Sequence, residues 1–456
     1  MTELIVSTGQ TIPLKIKRLG INGEGIGYFK KLIVFVPRAL PGEEITATIT
    51  NATPRYAEAS LKKIIKKSKD RITPPCLVYD ECGGCQLQHL VYQKQLDFKR
   101  DLLKQALTKF KPDHYKDYDL RPTIGMDDPW HYRNKAQFQL RKEQDEVKAG
   151  LYKANSHDLV AIDDCLVQEE RTQEVINFVV DLLTKYQVPI YDEQQNSGIV
   201  RTLMVRVGVA TDELQLVFIT NSKKLPKKQA MIEELTHTFP EVVSIMQNVQ
   251  NKKTSIVMGD ETIHLWGKET IEETINDVTF DLSARAFFQL NPLQTSRLYQ
   301  EAIDALDLDE THTVVDAYCG VGTIGLNIAA KVKKVLGMDI VPQAIDDAKQ
   351  NARRMHAKNT VYEVGTAEEW IPTWVNQGIK IDRLIVDPPR TGLDQTLLDT
   401  LTAYPPEQMV YVSCNVSTLA RDLKTLAKKF TIEYLQSVDM FPQTARCEVV
   451  VKLTRK

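Results

Sequence analysis

Long apolar runs are missing from this chain of 456 residues. No stretch approaches the roughly 20 apolar residues of a membrane-spanning helix. The start, Met-Thr-Glu-Leu, has neither a basic n-region nor an apolar h-region, so a cytoplasmic protein with no membrane partner is expected. Cysteine is scarce. Seven residues, an odd number without an export signal, argue against a disulfide framework. Internal repeats and low-complexity segments are absent. A dominant charge is also absent, with 58 Lys and Arg against 60 Asp and Glu for a net charge of −2. That balance hides an asymmetry, because residues 1–75 hold 13 Lys and Arg against 6 Asp and Glu. The excess points to a polyanion partner at that end, with a solvated lysine face as the alternative. What remains, 43% apolar and 26% charged residues, is an ordinary globular composition, long enough for several domains with real cores.

The chain is organised around Val314 to Leu326. An apolar run ends in Asp316 and is followed by Gly320, Gly322 and Gly325 and then by an apolar helical pattern. This reads as a buried strand, a glycine turn that lets backbone approach a ligand, and a helix start. A second strand, Lys334 to Asp339, places a carboxylate 17 residues after Gly322, where it can hold both hydroxyls of a ribose. The Gly-Lys-Ser/Thr end of a P-loop is missing, and the turn has no basic residue. A cationic nucleoside fits better than a pyrophosphate, which favours S-adenosylmethionine (SAM) over a plain dinucleotide fold.

In chain order, residues 1–66 read as a small β-barrel. Ile12–Lys17, Leu32–Val36 and Glu44–Thr50 have strand patterning, and Ala59–Lys67 closes the unit as a basic strand. Such barrels hold oligonucleotides on an open face. Residues 67–285 read as an α+β region. It contains a helix from His89 to Phe110, a strand pattern from Trp130 to Leu140, a helix from Glu169 to Tyr186, and strands at 150–152, 159–162 and 201–207. Arg133, Lys135, Arg201 and Arg206 lie along these strands as phosphate contacts or as ordinary surface charge.

Cys76, Cys82 and Cys85 form a Cys-x5-Cys-x2-Cys set with two glycines between the last pair. Cys165 is the fourth candidate ligand. Zinc more usually shows two Cys-x2-Cys knuckles. A three-plus-one set of unequal spacing favours a structural [4Fe–4S] cluster, with zinc second and unligated core thiols third.

Residues 286–456 alternate strand and helix, the pattern of a doubly wound, Rossmann-like α/β sheet with its ligand at the carboxyl ends of the strands. Two strands end unusually. Leu384-Ile-Val-Asp387 runs into Pro-Pro-Arg-Thr-Gly, and Val410-Tyr-Val-Ser-Cys414 into Asn-Val-Ser. Glu448 begins an otherwise apolar strand, where a carboxylate needs a partner or a task.

The ordered set Phe-Phe-Gln-x-Asn (287–291), Asp-x-Tyr-Cys-Gly-x-Gly (316–322), Asp-Pro-Pro-Arg-x-Gly (387–392), Ser-Cys-Asn (413–415) and Glu448 resembles the TrmA/RumA family of RNA uracil-5 methyltransferases. The first region resembles a TRAM domain. Together with the cysteine set, it resembles the ribosomal RNA branch, RlmD and the RlmCD type, more than the transfer RNA branch. The resemblance implies Cys414 as nucleophile and Glu448 as base. It implies Gln289, Tyr318, Asp339 and Asp387 as SAM contacts, with Gly320 in the turn between them, and 23S ribosomal RNA as partner. Two departures stand out: Cys447 where the family often has His, and Asp339 where Glu is common. The chemistry accounts for the residue types. A thiolate adding to carbon 6 of uracil gives carbon 5 carbanion character, and a base then removes the carbon 5 proton. The base must leave its stack, so loop or single-stranded RNA is expected. Methyl transfer needs no electron transfer, hence the structural role for the cluster. The rivals are a small-molecule SAM methyltransferase, a transfer RNA uracil-5 enzyme, an RNA cytosine-5 enzyme and a non-catalytic RNA-binding protein.

Overall fold

The computed structural model describes residues 4–154 and 156–456; the start Met1–Glu3 lies outside the described residues. Alternation builds the first unit. In β1 (Thr11–Leu19), Ile12, Leu14 and Ile16 point inward while the residues between them face solvent. With β2 (Gly25–Phe29), β3 (Leu32–Val36), β4 (Glu44–Ala52) and β5 (Tyr56–Lys66) it forms a closed barrel in the order β1-β2-β3-β5-β4. Closure leaves no free sheet edge. Val34 and Val36 are fully buried inside it, and each such side chain contributes about 1.5–3 kcal/mol.

Helix α1 (Tyr92–Phe110) starts later than its apolar pattern suggests. The N–H of Ile72 donates to the carbonyl of His89, and that of Val91 to the carbonyl of Asp70. These bonds hold residues 89–91 outside the helix, with Leu90 bridged to Arg71. Strand β6 (Asp119–Ile124) follows.

The central sheet comprises β7 (Lys135–Glu143), β8 (Glu146–Tyr152), β9 (Leu159–Ala161), β10 (Val200–Gly208), β11 (Glu213–Thr220), β12 (Val242–Val249) and β13 (Glu261–Gly267), in the order β13-β12-β11-β10-β7-β8-β9. Helices α2 (Glu170–Lys185) and α3 (Lys228–Thr238) share its main core, where Phe138, Leu203 and Leu216 meet Val179, Leu183 and Leu235. The strand expected from Trp130 begins only at Lys135. His131 has a left-handed backbone, φ 48°. His131 and Arg133 donate their N–H groups to Leu166 and Val167, and Asn134 donates to Leu290. The segment joins three neighbours instead of one sheet. A hairpin, β14 (Thr270–Ile275) with β15 (Val278–Ser283), leads out of this region.

The last region contains α4 (Pro292–Asp304), β16 (Thr313–Ala317), α5 (Thr323–Ile328), β17 (Lys334–Asp339), α6 (Pro342–Arg354), β18 (Thr360–Val364), α7 (Ala367–Asn376), β19 (Arg383–Val386), α8 (Gln395–Ala403), β20 (Gln408–Ser413), α9 (Val416–Leu426), β21 (Phe430–Val438) and β22 (Glu448–Arg455). Its eight strands run β18-β17-β16-β19-β20-β22-β21-β6. All five residues of β16 are buried, as expected of a parallel strand covered on both faces. Grouping residues 67–285 together keeps β6 with the central region, yet β6 pairs in parallel with β21 at the far edge of this sheet. Helix α1 packs in the same core as α9. An edge strand with half-buried residues has a weak pattern, so its partner is not legible locally. Among the described residues no helix is long and apolar enough to cross a membrane.

Candidate active site

Strand registers bring the chemistry together. Strands β20 and β22 are antiparallel with Ser413 opposite Val449, so Cys414 and Glu448 occupy the next facing positions. Parallel β16 and β19 pair Ala317 with Val386, and β19 and β20 pair Val386 with Tyr411. Asp387 thus leaves its strand beside both the glycine turn and Cys414. These ends form one crevice at the carboxyl edge of the parallel strands, where open α/β sheets bind ligands.

The turn after β16 is unusual. Tyr318, Gly320 and Gly322 all have positive φ, at 65°, 54° and 81°. A left-handed tyrosine is strained and persists only where its surroundings hold it. Gly320 N–H donates to Asp339 Oδ2 at 3.0 Å, while Asp339 Oδ1 accepts from Val341 N–H at 2.9 Å. One carboxylate therefore ties the turn to the end of β17. A Cβ on Gly320 would meet nothing within 4 Å, so the turn faces open space. Asp316 accepts the N–H of Gly325 at 2.8 Å beneath the turn. Burial, partly offset by that bond and added to by the nearby Asp387 and Asp339, raises its carboxyl to about 7.

Gln289 lies in the loop before α4, near Tyr299. The Tyr299 hydroxyl in turn meets Thr323 Oγ1 at 3.2 Å, at the start of α5. The loop is anchored by Arg206. This guanidinium is fully buried and donates to the carbonyls of Ser283 and Ala286. Arg201 likewise serves backbone carbonyls, those of Gln250 and Lys252. Of the four strand cations, these two are structural props in the fold rather than free phosphate contacts.

Cys414 is half-buried at the junction of β20 and α9. Burial pushes its thiol up to about 11, with Glu448 and Asp387 adding to the rise and Arg390 opposing it. Glu448 is buried, and its carboxyl is raised far above the usual range by desolvation and then by Asp387; Arg390 and Lys99 oppose. Burial alone raises Asp387 to about 7. The crevice therefore gathers three groups that resist ionisation near pH 7, with Arg390 and Arg446 beside the thiol. Such poising suits proton movement. Sequence reasoning did not single out Arg390, Arg446, Tyr299 or Lys99. Arg390 stood inside the Asp-Pro-Pro-Arg motif, but nothing local marks the other three.

Residues 439–447, leading to Glu448, are clamped from several sides. Lys99 of α1 forms a fully buried ion pair with Asp439, and Tyr92 donates to the same carboxylate at 2.8 Å. Asn291 Nδ2 donates to the Met440 carbonyl at 3.0 Å, and the Tyr132 hydroxyl to the Pro442 carbonyl at 2.9 Å.

Cys76, Cys82, Cys85 and Cys165 are all half-buried and line one small cavity. The N–H of Gly84 points at Cys82 Sγ, 3.3 Å away. N–H groups of Val167 and Gln168 favour the thiolate of Cys165, although burial raises its thiol overall. Burial pushes Cys85 up to about 12. Arg133 lines the same cavity, and its Nε has no hydrogen-bond partner. A half-buried cation with a buried, unpartnered Nε beside thiols and N–H groups suits an anionic thiolate-bound centre. Among the described residues, no three His, Cys, Asp or Glu groups close to the spacing that a single metal ion requires.

Comparison with known proteins agrees with this architecture. A family model for tRNA (uracil-5-)-methyltransferase matches residues 91–456, and a TRAM domain model matches residues 6–62. An uncharacterized RNA methyltransferase of Enterococcus faecalis is 67% identical over the whole of both chains. One of Listeria monocytogenes is 58% identical, again over the whole of both. Among solved structures, the Pyrococcus abyssi tRNA (uracil-54, C5)-methyltransferase in complex with S-adenosyl-L-homocysteine matches with a TM-score of 0.76. It is 29% identical, over 97% of this chain and 99% of that one. With a TRAM barrel ahead of a Rossmann-like methyltransferase sheet, the chain belongs to the SAM-dependent tRNA (uracil-5-)-methyltransferase family of RNA-modifying enzymes.

Proposed function

We propose that this protein converts uridine to 5-methyluridine in 23S ribosomal RNA through a transient covalent bond between Cys414 and carbon 6 of uracil. The observation behind this is the β20–β22 register, which sets a thiol and a buried carboxyl face to face beside the glycine turn. SAM, when bound, supplies an electrophilic methyl group. Gly320, Asp339, Gln289, Tyr318 and Asp387 would contact it, and the open face at Gly320 leaves room for it. The Cys414 thiolate adds to carbon 6, and its proton leaves to solvent or to a neighbouring carboxylate. Arg390 and Arg446 favour the anion. Carbon 5 takes the methyl group, and S-adenosyl-L-homocysteine is the neutral thioether left behind. Glu448, once its raised carboxyl has released its proton to solvent, removes the proton from carbon 5, the carbon–sulfur bond breaks and the aromatic ring returns. Asp387 orients donor and uracil in the crevice.

The four cysteines of the cavity, Cys76, Cys82, Cys85 and Cys165, would hold a four-iron, four-sulfur cluster, with the half-buried Arg133 as counter-charge. Its task is to order the turn between Cys82 and Cys85, not to react. Residues 1–66 present RNA, residues 67–285 house the cluster, and residues 286–456 transfer the methyl group in the cytoplasm. The barrel together with the cysteine set favours ribosomal RNA. A second reading, transfer RNA, is supported by the name of the Pyrococcus abyssi relative. Mass mapping of 5-methyluridine in a strain lacking this gene separates them. Loss from 23S RNA is expected, and loss only from transfer RNA would overturn the ribosomal assignment. Anaerobically purified protein should be brown with roughly four irons per chain, and stoichiometric zinc without colour would overturn the cluster.

A further inference from the structure

The segment that leads to Glu448 contains a glutamine in the left-handed region, Gln443, at φ 66°. A side chain bearing a Cβ keeps that conformation only where neighbours over-determine it. Here four hydrogen bonds do so. Gln95 of α1 exchanges two with it, Nε2 to Gln443 Oε1 at 2.9 Å and Gln443 N–H to Gln95 Oε1 at 3.0 Å. The Gln443 carbonyl accepts the backbone N–H groups of Gln86 and Leu87, at 3.0 and 2.9 Å. Both of these donors directly follow Cys85. The side chain of Gln86 adds a bridge. Its Nε2 donates to the carbonyl of Gly83 at 3.0 Å, inside the cysteine turn, and its Oε1 accepts the N–H of Ala445 at 3.3 Å. One amide thus spans the turn between two cysteines and the approach to Glu448.

We propose that Gln86 is a positioning residue that transmits the order of the four-cysteine turn to Glu448, so that the state of that turn governs removal of the carbon 5 proton and not addition of the thiol. This rests on the roles given above to Cys414 and Glu448. The two steps depend on different anchors. Cys414 sits where β20 meets α9, and Asn415 holds that junction through Arg390 and Ser417. None of those contacts involves the cysteine turn. Glu448 opens β22, paired with Val438, and is reached through residues 439–447, whose left-handed residue is held by the stretch after Cys85. Proton transfer requires hydrogen-bond reach, and small displacements of a base slow it steeply.

The test uses full-length Gln86→Leu, purified anaerobically. Metal content should match the wild type, while amide hydrogen exchange across residues 441–447 should quicken by roughly tenfold or more. Wild-type protein stripped of metal by a chelator should show the same quickening. With RNA and SAM, a methylated covalent protein–RNA adduct should accumulate, while its formation in a single turnover stays within about twofold. Unchanged exchange in Gln86→Leu, or equal slowing of adduct formation and release, would overturn the coupling. If Gln86→Leu does not fold, Gln86→Glu serves in its place. It keeps an acceptor for Ala445 but sets a carboxylate against the Gly83 carbonyl, so faster exchange is again expected and unchanged exchange is fatal. Should Glu448→Gln trap no methylated adduct, the base assignment fails, and the exchange comparison still decides the coupling.

Discussion

The crevice at Cys414 and the cavity of the four cysteines both bury sulfur and raise its thiols, yet they set different groups around it. In the crevice, the thiol is surrounded by carboxyl groups, and burial pushes Cys414, Asp387 and Glu448 toward their neutral forms. The compensating guanidinium of Arg390 lies on an exposed residue. In the cavity, the thiols face a half-buried arginine and N–H groups. The first arrangement keeps protons near the point where they can move. The second sets a guanidinium and N–H groups against thiols that burial otherwise keeps neutral. The difference teaches that a cysteine's task is set by its counter-charges rather than by its depth.

Substitutions can break or sharpen this contrast. The largest effect is expected from Cys414→Ala, which should lower methyl transfer on the order of 10⁴-fold or more while the melting temperature and RNA affinity hold; turnover near the wild-type rate would show that sulfur is not the nucleophile. Glu448→Gln should slow product release on the order of 10²–10⁴-fold. Denaturing gels should then show a methylated protein–RNA adduct, and free product at the normal rate would remove Glu448 from the mechanism. Arg133→Met acts on the other site. It should cost about 3 kcal/mol of stability in the metal-loaded protein, read by denaturant unfolding under argon, with the chemistry of the folded fraction unchanged. A stability equal to wild type would mean that the cavity holds no anionic centre.

A smaller effect concerns pH. Between the ordinary carboxylate range and about 7, folded Asp316 and Asp387 hold protons that the unfolded chain has released. The folded state binds more protons there, so stability falls as pH rises through that window. Ligand-free protein should lose about 3–5 kcal/mol between pH 5 and pH 8, and Asp387→Asn should flatten the fall. An unfolding curve that steepens in Asp387→Asn would contradict the assignment. The mildest change is Asp339→Ala. It removes one acceptor from Gly320 N–H and should weaken SAM about tenfold with little effect on the rate at saturation, measured by calorimetry and initial rates.

Legibility follows the same divide. The crevice residues stand at the ends of apolar strands, where a polar side chain breaks a pattern that is otherwise continuous. Asp339, Asp387 and Cys414 could be found this way. Glu448 was visible as a carboxylate opening an apolar strand. Tyr299, Arg446 and Lys99 were not, because each lies within an ordinary amphipathic or polar stretch and gains its neighbours only through packing. The start of α1 was misread at His89 because hydrogen bonds to residues 70–72 override the helical pattern. The strand pattern at Trp130 likewise yields to contacts with residues 166–167 and Leu290.

Residue order by itself determined the barrel, the alternation of strand and helix, the glycine turn and the kinds of side chain available for chemistry, since each depends on short-range periodicity or on backbone freedom at single positions. Tertiary structure decided the rest. The antiparallel return of β22 between β20 and β21 set Glu448 opposite Cys414, the insertion of α1 and β6 into the last sheet supplied Lys99 and Gln95, and desolvation raised the proton affinities. None of these can be written in a local pattern, because strand pairing and burial are properties of groups that meet only after the chain has closed on itself.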